Sequence, residues 1–263
     1  QRWAFDPHIK RGGDRPFRCR GVSYAAVSSA PPSSTSSSSP ENCAHRVFVA
    51  THDRKLWALD ASTGKPCPAF GTNGSLALYG AASSAANTDR LPGDTQQQFA
   101  PGDVSNSSAP LVAGGMVVVG STVIDFARAK TPRGTVQAFS AETGELQWQF
   151  DPLQGFPGSG SANVWAPMSV DVENNLVFLP TSAASVDYYG INRPGDGTYA
   201  NSVVALALDT GKVQWHFQHV RHDLWDDDTP AQPIQFEWKK HGKSIPALAQ
   251  LTKQGFVFVL NRL

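Results

Sequence analysis

Neither sign of charge is in excess: 22 Lys and Arg stand against 22 Asp and Glu, and the formal net charge at pH 7 is zero. Partners such as nucleic acid or an anionic membrane surface are met by concentrated positive charge, so a small molecule is the expected partner. Long apolar runs are missing as well. The longest, Pro110 to Gly120, is about half the ~20 residues that a membrane-spanning helix needs. The phosphate-loop, dinucleotide and nucleophile-elbow patterns (G-x-x-x-x-G-K-[ST], G-x-G-x-x-G, G-x-S-x-G) do not occur, which leaves nucleotide chemistry and serine hydrolysis without support. Cysteine is scarce: Cys19, Cys43 and Cys67 form no C-x-x-C pair, so neither a zinc site nor a thioredoxin-like motif is indicated. Cys43 and Cys67 stand at the two ends of one hairpin-like unit; they are either free thiols or a bridge, and a bridge requires an oxidising compartment. No signal peptide is visible and the chain opens on Gln1 inside a strand-like pattern, so a processed chain or a fragment is expected.

What the chain does have is 40% hydrophobic residues, enough for one large all-β domain or two smaller ones, and an internal repeat. WALDASTGKPCPAF (Trp57 to Phe70), QAFSAETGELQWQF (Gln137 to Phe150) and VALALDTGKVQWHF (Val204 to Phe217) share an apolar stretch, then Thr-Gly-Lys/Glu, then an aromatic six residues after the Gly or close by. Trp3-Ala-Phe5 reads as the tail of a fourth copy. Each copy is a hairpin: Thr-Gly supplies the turn, and an aromatic pair two residues apart shares one face of the second strand. Gly64, Gly144 and Gly211 are 80 and 67 residues apart, the spacing of propeller blades with inserted loops. The repeated Trp residues are core, joining neighbouring blades through Trp148, Trp215 and Phe70. The spacing predicts antiparallel four-stranded units and only short helices. Ser28 to Pro40 (SSAPPSSTSSSSP) and Ala81 to Pro101 are polar connections with little to bury.

Chemistry is concentrated in Arg221 to Pro233, RHDLWDDDTPAQP, which carries one His, four Asp and a Trp between two hairpins. By itself the run Asp226-Asp227-Asp228 reads as a solvated turn closed by Thr229 and Pro230. Its position at a strand end, flanked by rigid hairpins, is instead how an all-β scaffold presents a site. His216, His219 and His222 are three residues apart, which on a strand points alternate side chains to opposite faces, so a shared metal is not expected.

FRCRGVSY (Phe17 to Tyr24), the Thr-Gly-Trp hairpins, NVWAP (Asn163 to Pro167), HDLWD (His222 to Asp226) and TKQGFVFVLNR (Thr252 to Arg262) together resemble the pyrroloquinoline-quinone (PQQ) dehydrogenases, in particular the membrane-bound glucose, quinate and shikimate branch. The resemblance runs from end to end. It implies an eight-bladed quinoprotein propeller of which residues 1–263 are about four blades, with the other blades and an N-terminal membrane anchor outside this stretch. It further implies PQQ with Ca2+ or Mg2+ as cofactors, a sugar or cyclic polyol as substrate, ubiquinone as electron acceptor, and a place on the periplasmic side of a bacterial inner membrane.

Residue by residue, the resemblance makes Asp226 the base that takes the substrate hydroxyl proton and Lys253 the cation beside the quinone oxygens. Trp165 becomes the flat floor under the cofactor, Arg20 the partner of its carboxylates, and Asp125 a metal ligand. His222 joins the cofactor-binding set. Pro16 stands where glucose-oxidising relatives have a His, Phe126 where they have an Asn, and Arg221 where a second His is usual; quinate or shikimate thereby becomes as good an expectation as glucose. Asp227 and Asp228, on the solvated-turn reading, should matter little. The competing class is a non-catalytic propeller scaffold built of the same Thr-Gly-Trp hairpins without a cofactor.

Overall fold

In the computed structural model, which describes residues 2–9, 18–27, 43–78, 102–126, 131–156 and 159–263, the secondary structure is entirely strand and turn. The polar connections at Ser28 to Pro40 and Ala81 to Pro101, and Pro16, lie outside the described residues. The first sheet pairs β1 (Ser23–Ala26), β2 (His45–Ala50), β3 (Lys55–Asp60) and β4 (Ser75–Ala77) in that order. Six strands follow: β5 (Val104–Ser105), β6 (Leu111–Ala113), β7 (Met116–Val119), β8 (Thr122–Val123), β9 (Val136–Ser140) and β10 (Leu146–Phe150). Four of them make the second sheet, β6-β7-β9-β10, while β5 and β8 form a separate ribbon. The third group repeats the plan. It contains β11 (Gly160–Ser161), β12 (Ser169–Asp171), β13 (Leu176–Pro180), β14 (Ala184–Ser185), β15 (Ser202–Ala207) and β16 (Val213–Gln218), with the sheet β12-β13-β15-β16 and the ribbon β11-β14. Last come β17 (Ile234–Lys240), β18 (Lys243–Leu251) and β19 (Val257–Asn261). This fourth unit has three strands among the described residues, where the repeat predicted four. Every strand pair is antiparallel.

The sheets stack face to face, and the continuous apolar runs of the inner strands follow from burial on both faces. Val117 and Val119 of β7 enter the core shared with the first sheet, beside Phe48, Leu56 and Phe70, whereas Val118 turns the other way to meet Trp148, Val177 and Leu206. On β13, Val177 and Leu179 face the second sheet while Leu176 and Phe178 face the fourth, packing with Val203 and Leu248. The period-2 alternation of strand side chains thus divides each run between two seams.

At Gly64, Gly144 and Gly211 an aromatic from one copy of the repeat is set on the Thr-Gly turn of the next, and at the last seam Trp215 is tied to the backbone after β19. Trp148 donates its indole N–H to the carbonyl of Leu208 at 2.8 Å, and its ring lies so close to Gly211 that a Cβ there would come within 2.6 Å of it. Trp3 does the same at Ala61 and Gly64, at the same offset of three residues before the Gly. Phe70 lies against Gly144, and Trp215 donates to the carbonyl of Arg262 at 3.1 Å. Gly211 has a φ of +67°, so two constraints select glycine at once, the left-handed backbone and the indole lying on it. The expected gluing role of Trp148, Trp215 and Phe70 is what the packing displays.

Cys43 and Cys67 are bridged, with a Cα–Cα distance of 5.8 Å across 24 residues of sequence. The bridge ties the approach to β2 to the turn after β3, and a loop of this size stabilises by about 2–4 kcal/mol. On the outer face of the fourth sheet Ile234, Trp238, Val257 and Val259 are exposed among the described residues, as is Phe256 beside them.

Candidate active site

Residues 219–233 join β16 to β17 along one rim of the stacked sheets, and their shape is set by the buried Asp223. Its carboxylate accepts the side-chain amide of Asn201 at 2.8 Å and the backbone N–H groups of Trp225 and Asp227 at 2.9 and 2.7 Å. Arg193 donates to the carbonyls of both Val186 and Asp223, fixing this loop to the neighbouring one. The coil so formed places Asp226 at a φ of +59°, a region Asp tolerates better than most residues, and turns its side chain to Lys253. Lys253 comes from the turn between β18 and β19. Its ammonium donates to the carbonyl of Asp226 at 2.7 Å and to the Asp226 carboxylate at 3.0 Å, with Asp228 at 3.5 Å. Partial burial opposes that charge, yet the Asp228 and Asp226 carboxylates outweigh it and hold the lysine pKa above its ordinary value.

Asp228 departs from the solvated-turn expectation. It is 5% exposed, one oxygen accepting the N–H of Ala183 at 2.8 Å and the other the indole N–H of Trp165 at 3.0 Å. Burial pushes its pKa up to about 6, against the pull of the Ala183 N–H, of Lys253 and of the Trp165 hydrogen bond. The physical reason for the correction is tertiary: Ala183 and Trp165 close over the carboxylate from 45 and 63 residues away. Asp227 remains half-buried at the surface.

Trp165 precedes β12, and its carbonyl accepts the hydroxyl of Ser108. Over its ring stands the Arg20 guanidinium, 5.0 Å from the ring centroid. Both line a cavity of about 420 Å³ together with Arg18, Asn106, Asn163 and Asp125. The two amides are fixed from behind, Asn106 by Arg54 at 2.6 Å and Asn163 by its own donation to the Ser121 carbonyl at 2.9 Å. Asp125 arrives just after β8, as the strand pair ahead of it predicts.

Of the candidates, Arg20, Trp165 and Asp125 share the cavity wall, and Asp226 with Lys253 reaches Trp165 through Asp228. His222 is not brought into that wall. Its Nδ1 lies 2.9 Å from the Gly195 carbonyl, and its ring presses on Gly190 so closely that a Cβ there would meet Nε2. His219 is bonded to the Thr229 hydroxyl at 2.7 Å, and burial pushes its pKa down to about 4 despite the charge of Asp223.

One further carboxylate has no counterpart in the sequence reading. Asp187 is 2% exposed, and its Oδ1 has no hydrogen-bond partner. Burial, and then the charges of Asp125, Asp226, Asp228 and Asp223, push its pKa up to about 8. An orphaned oxygen among carboxylates suits a hard divalent cation, which would satisfy the oxygen and relieve the repulsion. Among the described residues no three His, Cys, Asp or Glu side chains converge into a ready-made cage, so the protein offers a partial, open oxygen set.

The arrangement is a roomy cavity with an aromatic floor, guanidinium groups for an anionic ligand, and a carboxylate–ammonium pair at the floor's Nε1 edge. The sequence profile of the PQQ glucose/ethanol/alcohol dehydrogenase β-propeller domain matches residues 1–263, and this chain belongs to that family. It is 36% identical over 285 residues to quinoprotein glucose dehydrogenase A of Acinetobacter calcoaceticus, a match covering 100% of the chain and 33% of that protein. It is also 36% identical over 266 residues to a quinate/shikimate dehydrogenase (quinone) of Acinetobacter baylyi, covering 93% of the chain and 31% of the relative. Among solved structures, quinohemoprotein alcohol dehydrogenase from Comamonas testosteroni superimposes with a TM-score of 0.66 at 27% identity, over 82% of this chain and 32% of that one. The chain thus spans about a third of the length of the curated relatives it matches.

Proposed function

We propose that these residues are the cofactor-binding part of a larger propeller that oxidises a sugar or cyclic polyol through bound PQQ, with electrons passed on to ubiquinone on the periplasmic side of the inner membrane. The observation that carries this reading is the Trp165 face flooring a cavity of about 420 Å³ beneath Arg20, with the Asp226–Lys253 pair tied to its edge through Asp228. A scaffold has no use for such a set, and the curated relatives named above are dehydrogenases.

When bound, PQQ supplies the two-electron acceptor for the hydride leaving the substrate carbon. The chain's own residues do the rest. Trp165 offers a flat face on which a tricyclic ring stacks, and Arg20 and Arg18 meet its carboxylates with charge-assisted bonds. Asp226, an acceptor held at the rim, takes the proton of the substrate hydroxyl as the C–H bond breaks. Lys253, its ammonium fixed by two carboxylates, presents a positive charge where negative charge develops on a quinone oxygen. Asp125 and Asp187 would hold Ca2+ or Mg2+, which supplies Lewis-acid polarisation. His222, set against the Gly190 to Gly195 loop, supports the rim from behind.

The test is dye-linked oxidation of glucose, quinate and shikimate by the full-length protein that carries these residues, loaded with PQQ and Ca2+. Turnover of at least one of the three, dependent on added PQQ, is expected. Failure to bind PQQ, or binding with no oxidation of any hydroxyl substrate, overturns the reading.

A further inference from the structure

We infer that Asp228 is a positioning residue that sets the plane of Trp165 through a carboxylate that the Lys253 ammonium also approaches. This rests on the reading of Trp165 as the cofactor floor.

Three groups that must be aligned for that role come from three distant parts of the chain: Trp165 ahead of β12, Ala183 ahead of β14, and Lys253 between β18 and β19. All three converge on Asp228. Oδ2 accepts the Trp165 indole N–H at 3.0 Å and lies 3.5 Å from the Lys253 ammonium, while Oδ1 is anchored on the Ala183 N–H at 2.8 Å. A ring held only by packing can swing about χ2, but one whose N–H edge is tied to a buried carboxylate cannot without costing that carboxylate, and the indole, a hydrogen bond. The Ser108 hydroxyl on the Trp165 carbonyl and the guanidinium of Arg20 over the ring complete the restraint. At 5% exposure the carboxylate is out of reach of a ligand lying on the indole face, so it acts through its neighbours and not by contact.

The Ala183 N–H, the Lys253 ammonium, the Trp165 indole and the carboxylates of Asp226 and Asp187 all act on Asp228. Asp228→Asn keeps the volume but has one acceptor oxygen for two N–H donors, so either the indole or the Ala183 N–H loses its partner. Phenylalanine at position 165 has no N–H to hold. The two changes should therefore be coupled, as contacts sharing one hydrogen bond are.

The experiment is PQQ titration, in the presence of Ca2+, of full-length wild type, Asp228→Asn, Trp165→Phe and the double variant, with thermal unfolding recorded for each. Asp228→Asn alone should weaken PQQ binding by about tenfold, the scale of a hydrogen bond to a charged group. In the Trp165→Phe background the same substitution should cost less than about threefold. Equal costs in both backgrounds would show that Asp228 supports the rim generally and would overturn the inference. Should Asp228→Asn fail to fold, Asp228→Glu takes its place; it keeps the charge and shifts the anchor, and it too should be costly only where the indole N–H is present. Wild type that binds no PQQ would instead overturn the cofactor reading itself, so the two failures are distinct.

Discussion

Tryptophan does two different jobs in this molecule, and the acceptor of its N–H separates them. At the seams between sheets, Trp148 and Trp215 donate to backbone carbonyls, with Trp148 only 7% exposed and lying on a glycine turn. At the rim, Trp165 donates to a carboxylate, keeps one face toward a cavity and carries a guanidinium over its ring. A carbonyl acceptor inside an apolar seam adds stability without charge. A buried carboxylate acceptor is costly to desolvate, and such a cost is kept where geometry matters to a ligand. Seams should therefore answer to stability measurements, and the rim to binding and turnover.

The largest expected effect lies on the rim. Asp226→Asn in the loaded full-length enzyme should lower turnover by ~10²–10⁴-fold while PQQ binding and melting temperature stay near wild type. Loss of folding instead would make Asp226 a structural residue and blur the comparison. The seam counterpart is Trp148→Ala, expected to destabilise by about 3–5 kcal/mol in denaturant unfolding through the cavity it leaves; a smaller value than about 1 kcal/mol would contradict its role as glue.

A third prediction concerns pH. Burial, with the charges of Asp125, Asp226, Asp228 and Asp223 behind it, raises the pKa of Asp187 in the folded protein to about 8, from about 4 in an unfolded chain. The folded state therefore binds a proton that the unfolded state releases between those values, and stability from this group is full below about pH 4 and lost as pH rises toward 8. Asp187→Asn should flatten that decline, so that the variant gains on wild type at pH 8, and Ca2+ should stabilise wild type there more than the variant. A pH slope unchanged by the substitution would count against the buried, unpartnered carboxylate. The smallest effect is expected at Asp227, half-buried and with its carboxylate 3.5 Å from Gln254: Asp227→Asn should change turnover by less than about twofold, within the range of ordinary surface substitutions.

The same contrast explains what could be read from the residues alone. The blades were legible because the Thr-Gly turn and the aromatic following it are local signals, repeated at a fixed offset, and each copy's partner is the next copy. The loop that carries Asp226 stands out in the sequence by its density of Asp, His and Trp, whereas Lys253, Trp165, Arg20 and Asp125 are expected beside it only from the resemblance to a family, since no spacing rule brings positions 20 and 165 together. Asp228 was misjudged because its burial depends on Trp165 and Ala183, remote in sequence, while an Asp run followed by Thr-Pro has every local mark of a solvated turn. Asp187 carried no signal at all: a single Asp after SAASV is unremarkable until the fold surrounds it with four other carboxylates. Among the described residues the face of the fourth sheet that carries Ile234, Trp238, Val257 and Val259 is exposed, which should make residues 1–263 self-associate when expressed alone.

Titration of PQQ into Ca2+-loaded full-length protein, comparing Trp165→Ala with Trp148→Ala, tests the central distinction most directly. The account predicts that Trp165→Ala loses at least about tenfold in PQQ affinity, the scale of aromatic stacking, with little change in melting temperature. Trp148→Ala should lose stability while its folded fraction binds PQQ as wild type does. If Trp165→Ala binds PQQ normally, or if the two variants lose stability and affinity in parallel, the assignment of the rim tryptophan as a cofactor floor is wrong.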